Sequence, residues 1–208
     1  MSELIIERAE DGGYIFKKGN RRLDSRVLDC PRARKIKEHA LIAAELVGVI
    51  SWLNKIIPLH EQFVARSEGG MSPDSENIAE DIRAYFIAAV VTYQKYFTKC
   101  HGVSITPLNP EKIYNKEQLE MHGRVEELRN KLLAHVDHSD LLSHELHAIS
   151  DPKGVYTPSI LPTFFRTNHF VEDALDDFVQ LATFLMNYQN QQFIKAGQAL
   201  MDKEFGGK

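Results

Sequence analysis

Arg129, Asn130 and His135 lie within one ten-residue string, Leu128 to Asp137, written LRNKLLAHVD. A guanidinium offers planar, bidentate donors to an oxyanion or phosphate and keeps its charge at any accessible pH. An imidazole has an unperturbed pKa of about 6.5, so near neutrality it can both take and give a proton. An arginine, a histidine and a neighbouring amide therefore make a set suited to acid–base chemistry at a phosphate. On a helical wheel of about 3.6 residues per turn, Val125, Leu128, Leu132, Leu133 and Val136 fall within roughly 100° of Arg129. The arginine sits in an apolar stripe, and His135 lies on its flank beside Leu128. A permanent cation in that position needs an acidic partner, a cleft or a second subunit.

The string closes a helical pattern over about 116–134 or a few residues beyond, and three further patterns surround it. One runs from about Arg34 to Arg66, with Ile42, Leu46, Val49, Ile50, Leu53, Ile56 and Ile57 on a broad face and Pro58 as a kink or interruption. Glu45 flanks that face and is a candidate partner for Arg129. The next opens at Ser72-Pro73-Asp74 and extends to about Lys99, with an aromatic stripe including Tyr85, Phe86, Tyr93, Tyr96 and Phe97 that reads as core. The last runs from about Thr167 to Met201 with Val171, Leu175, Phe178, Leu181, Leu185 and Tyr188 as a bundle seam.

Asp11-Gly12-Gly13 between Ile5/Ile6 and Tyr14/Phe16 predicts a small hairpin over residues 3–17. Asp151-Pro152-Lys153-Gly154 predicts a second, with Pro158 and Pro162 confining its far arm to an edge strand or extended loop. The expected fold class is all-α, a bundle of about four long helices with one or two small β-hairpins appended. Its parts are an N-terminal hairpin and basic connector over 1–33 and the helical bundle over 34–208, in a single domain.

The chain has 208 residues, 43% apolar and 26% charged, as expected of a soluble globular protein. Its net charge of −4 argues against a surface that coats nucleic acid generally. The charge is uneven, however: residues 17–37 carry nine lysines and arginines against Asp24 and Asp29. Arg21, Arg22, Arg26 and Lys35 in that segment are candidate RNA-backbone contacts; a solvated connector is the plainer alternative. Cys30 and Cys100 form no CxxC pair, the N-terminus lacks the apolar run of a signal peptide, and 40–58 is interrupted by Glu45, Asn54 and Lys55. These features predict a cytoplasmic protein with no membrane span.

Arg129-Asn130, four residues, then His135 resembles the Rx4–6H signature of HEPN domains, including the polar residue after the arginine. The likeness is closest to bacterial HEPN-like proteins of phage defence, with strings similar to RNKxxAHxD at the end of a bundle helix. It covers residues 34–201 in architecture and about ten residues in motif. The resemblance implies metal-independent RNA cleavage by a homodimer whose two motifs meet across one cleft, without a cofactor. RNA is then the expected partner, with a cognate antitoxin or defence partner as a further possibility. In such a reaction the ribose 2′-hydroxyl attacks the adjacent phosphate. His135 takes its proton or protonates the leaving 5′-oxygen, Arg129 meets the added negative charge, and Asn130 orients the ribose or phosphate or holds the imidazole.

Other readings compete. Arg129 could pair with Glu45 or Asp137 while His135 caps the helix, leaving a catalytically silent binding or regulatory module of the same fold. His135, His138, His144 and His147 with Asp137 and Asp140 suggest a metal site, but the spacing fits no closed zinc pattern and no cysteine joins it, so no metal ligand is assigned. No P-loop, GxGxxG or GxSxG is present.

Overall fold

Pro31 lacks an N–H that the first turn of a helix would leave unbonded in any case, and its fixed φ suits that position. It opens α1 (Pro31–Ser67), where the sequence pattern begins three residues later. The computed structural model describes residues 3–10, 12–25, 27–67, 73–99, 106–134, 142–149, 159–166 and 169–205. Within them α1 is followed by α2 (Pro73–Gln94), α3 (Lys116–Ala134) and α4 (His169–Phe205). Three strands, β1 (Leu4–Arg8), β2 (Tyr14–Lys18) and β3 (Arg21–Leu23), precede α1; β4 (Leu142–Ile149) and β5 (Ser159–Arg166) lie between α3 and α4. The protein is a mostly helical fold with a small antiparallel sheet and a separate strand pair.

The seam of α1 holds it together. Ile42, Leu46, Val49, Leu53 and Ile56 recur in steps of four and three and are at most 2% exposed. That spacing keeps one face turned toward long neighbours, and α1 packs extensively on both α2 and α4. Ile78, Ile82, Phe86, Ala89, Val90 and Tyr93 answer from α2, and Leu175, Phe178, Leu181 and Leu185 from α4. Ile50 and Ile57, placed on the same face by the sequence pattern, lie at its edge, half-buried and 37% exposed respectively. Pro58 does not interrupt α1. Buried Leu53 and Ile56 before it, and half-buried Leu59 and Phe63 after it, tie both sides to the core.

Two boundaries differ from the sequence expectation for identifiable reasons. Helix α2 stops at Gln94 instead of Lys99. The Phe97 N–H turns back to the Gln94 carbonyl at 3.1 Å, and the Tyr96 carbonyl accepts the Leu108 N–H at 2.8 Å, so the ladder is diverted. The N-terminal element is a three-stranded sheet in the order β1-β2-β3, because part of the basic connector pairs as β3. Gly19-Asn20 makes that turn, with Gly19 at φ +59, the positive φ that a Gly-first hairpin turn requires. The second hairpin pairs Leu142–Ile149 with Ser159–Arg166, while the expected turn at 151–154 and Val155–Pro158 lie outside the described residues. Pro162 stands opposite Leu146, in a strand with a single neighbour, where a missing N–H is tolerated.

The seam sets the expected response to truncation. Leu46→Ala, at a position with no exposure, should lower the unfolding free energy by about 2–5 kcal/mol in urea titrations. Val47→Ala, next to it but 56% exposed, should stay within about 0.5 kcal/mol of the parent.

Candidate active site

Helix α3 carries the motif, and its start is fixed by a reciprocal cap. The Gln118 N–H donates to Asn115 Oδ1 at 2.9 Å, and the Asn115 N–H donates to Gln118 Oε1 at 3.0 Å. Two otherwise orphaned donors are thereby satisfied. From there a buried stripe of Met121, His122, Val125 and Leu128 runs along the helix. Arg129 lies seven residues beyond His122, about 20° from it around the axis, and so continues that stripe.

A chain of hydrogen bonds docks this stripe on α2. Tyr93 Oη is 2.9 Å from Tyr114 Oη and 3.0 Å from His122 Nδ1. With a neutral imidazole whose lone pair is on Nδ1, Tyr114 donates to Tyr93 and Tyr93 donates to His122, and every group in the chain is paired. Burial pushes the His122 pKa below its ordinary value, with the Glu126 carboxylate pulling weakly the other way. Burial also drives both tyrosine hydroxyls far above their ordinary values. Protonating Nδ1 would reverse the chain and leave the Tyr114 hydroxyl proton without an acceptor among the described residues. Phe97 packs on His122 with ring centroids 4.3 Å apart, closing the other side.

Arg129 is half-buried, and its Nη1 donates to Asn130 Oδ1 at 3.2 Å. Among the described residues no carboxylate pairs with it. Glu45, the partner considered from sequence, is committed elsewhere. Its carboxylate accepts the Tyr96 hydroxyl at 2.5 Å and forms an ion pair with Lys95, whose ammonium lies 5.0 Å from the Tyr96 ring centroid. Burial alone would raise the Glu45 pKa, but hydrogen bonds from Lys95 and Tyr96 and the Lys95 charge hold it below the ordinary value. That cluster joins α1 to the end of α2 and takes no part in pairing Arg129.

Asn130 is exposed one residue further along α3. His135 lies outside the described residues, as do Val136, Asp137, His138 and Asp140. His144 and His147 fall in β4, opposite Phe164 and Leu161. Among the described residues no group of histidine, cysteine and acidic side chains is arranged to hold a metal ion.

Three of the four basic candidates, Arg21, Arg22 and Lys35, lie on described elements. Arg21 and Arg22 are exposed neighbours on β3 and so project to opposite faces of the sheet. Lys35 lies in the first turns of α1, and Arg26 falls outside the described residues. Two other cations of the segment are already paired: Lys17 with Glu7 at 2.6 Å and Arg34 with Asp29 at 3.4 Å. A shallow groove of about 240 Å³ between α1 and α4 is lined by Ala40, Ala43, Ala44, Val47, Asn190 and Phe193. Its lining contains no titratable side chain, so it has no acid–base chemistry of its own. Within α1 one stretch is apolar and long enough to cross a membrane, with a mean hydropathy of 1.7; in this fold its inner face is the bundle seam.

No protein-family model, no curated protein and no solved structure matches this chain.

His122 sets a pH expectation. Its folded pKa is lowered, so the unfolded chain binds the proton more readily, and stability falls as pH drops from about 6.5 toward that lower value. Thermal melts from pH 7.5 to 5.5 should show this loss. His122→Gln, which keeps an acceptor for Tyr93 but does not titrate, should flatten it. Glu45 acts in a separate window, its contribution being lost only below the ordinary carboxyl range as its lowered pKa is crossed.

Proposed function

We propose that this chain is a metal-independent endoribonuclease of HEPN type, working as a homodimer in a cytoplasmic defence or toxin–antitoxin-like system. The observation that supports this reading is Arg129 itself. It continues the core-facing line of α3, is only half-buried, and has no carboxylate partner among the described residues. A cation left uncompensated on an apolar stripe is costly in a closed core. It is useful where a phosphate, or a cleft shared with a second subunit, supplies the missing negative charge.

In this reading the RNA phosphate is bound by the Arg129 guanidinium, which Asn130 holds from the side. His135 takes the 2′-hydroxyl proton or returns a proton to the leaving 5′-oxygen. The new bond is 2′-oxygen to phosphorus and the broken bond is phosphorus to 5′-oxygen. The products are a 2′,3′-cyclic phosphate and a 5′-hydroxyl. No oxidant, metal or cofactor enters the balance. Arg21, Arg22, Arg26 and Lys35 contribute backbone contacts from outside the cleft.

RNA incubated with the purified protein in EDTA should be cut and should carry 2′,3′-cyclic phosphate ends. His135→Ala should slow cleavage by about 10²–10⁴-fold while leaving the dimer intact. Cleavage at the parental rate by this variant would remove the assignment, and RNA binding without cleavage by the parent would make the protein a silent module of the same fold. Replacing Arg21, Arg22, Arg26 and Lys35 with alanine should weaken binding. It should also flatten the log–log salt slope by about 0.7 for each phosphate of the single strand that these side chains had neutralised.

A further inference from the structure

The N-terminal sheet shows both its faces to solvent. All five residues of β1 are exposed, with Leu4 at 54% and Ile6 at 58%, and Tyr14 on β2 is 65% exposed. No strand of this sheet packs extensively on a helix among the described residues. A small sheet with uncovered apolar side chains is marginal alone, and the chemistry of each face indicates what would cover it.

Register separates the faces, because directly opposed residues of antiparallel strands share one. Tyr14 stands opposite Arg8, and Phe16 opposite both Ile6 and Leu23. The next rung on the same face pairs Lys18 with Arg21. One face therefore carries two aromatic rings in steps of two on the central strand, Tyr14 exposed and Phe16 half-buried, with cations at either end and no acidic side chain in its strands. Glu7, the acid within these strands, falls on the other face, where Lys17 neutralises it.

We infer that the Tyr14–Phe16 face is a stacking platform for single-stranded nucleic acid. Aromatic rings flanked by cations are the chemistry that holds such strands: unstacked bases lie on the rings, and lysine and arginine follow the phosphates. A duplex keeps the faces of its bases inside its own stack and offers none to Tyr14 or Phe16. The charge of Arg8, Lys18 and Arg21, which pair with no carboxylate among the described residues, complements a polyanion and disfavours a second copy of the same basic face. This inference rests on the ribonuclease reading only in naming RNA as the strand; the platform would deliver that strand to the protein independently of the motif on α3.

The test uses the full chain carrying His135→Ala, so that the probe is not consumed. Anisotropy titrations compare a labelled oligouridylate of about twelve nucleotides with a duplex RNA of the same length. Single strands should bind tighter than the duplex. Tyr14→Val and Phe16→Val, which retain strand propensity, should each weaken single-strand binding by roughly five- to one-hundred-fold. Tyr14→Phe, which keeps a ring, should bind within about two-fold of its parent. Ile5→Thr, on the opposite face, should leave the affinity unchanged.

Valine variants that bind oligouridylate as tightly as the parent would overturn the platform. So would valine variants that change the sedimenting mass but not RNA affinity, which would make the face a protein contact. The two proposals fail separately. Ring-dependent binding by a protein that never cuts RNA leaves the platform and removes the nuclease. Cleavage by the parent with ring-independent binding does the reverse.

Discussion

Helix α1 has to satisfy neighbours on two sides at once, and the remaining helices take their places from that constraint. Its Ile42–Ile56 stripe meets α2 along one edge and α4 along the other. Each fully buried leucine or isoleucine stabilises by about 1.5–3 kcal/mol relative to exposure. Polar contacts then fix the two seams in register. His39 Nδ1 lies 2.7 Å from Gln189 Oε1 across the α1–α4 seam, while Glu45 takes Tyr96 and Lys95 at the α1–α2 seam. Gln189 Nε2 is buried without a hydrogen-bond partner among the described residues, a cost that only a well-packed seam tolerates.

With α1 sharing its buried face between α2 and α4, α3 is left with a narrower attachment. Among its described side chains the buried face is Met121, Val125 and Leu128 together with one imidazole. The Tyr114–Tyr93–His122 chain therefore has a larger share in positioning α3 than a polar contact usually has in a helical core. Arg129 lies two turns beyond His122 on the same line. The element that presents the candidate catalytic arginine is thus held by a hydrogen-bond chain whose direction depends on one buried histidine being neutral.

Hydrophobic periodicity made the helices legible because the stripes at 42–56 and 175–185 repeat over several turns, and a long repeat tolerates little ambiguity. Helix ends were less legible. The stop at Gln94 depends on a Leu108 N–H that comes from across a connector, which no local pattern announces. The Asn115–Gln118 cap and the Gly19-Asn20 turn are local signals, the second masked by the dense positive charge of residues 17–37. At the site, Arg129 was visible from its place on an apolar stripe, and its half-burial follows from that place. Glu45, one candidate partner, meets Lys95 and Tyr96 instead, because flanking a core face does not specify which neighbour is met. His122 went unnoticed, although a histidine seven residues before the arginine falls on the same helical line.

Arg129, with no carboxylate partner among the described residues, is proposed to hold an RNA phosphate in that place. A crystal structure with an uncleavable strand, carrying a 2′-deoxyribose at the scissile position, tests it directly. The account predicts that phosphate within hydrogen-bond distance of the Arg129 guanidinium, about 3 Å, with the His135 imidazole beside the 2′-carbon or the 5′-oxygen. Arg129 paired with a carboxylate of its own chain, and the strand bound elsewhere, would contradict it.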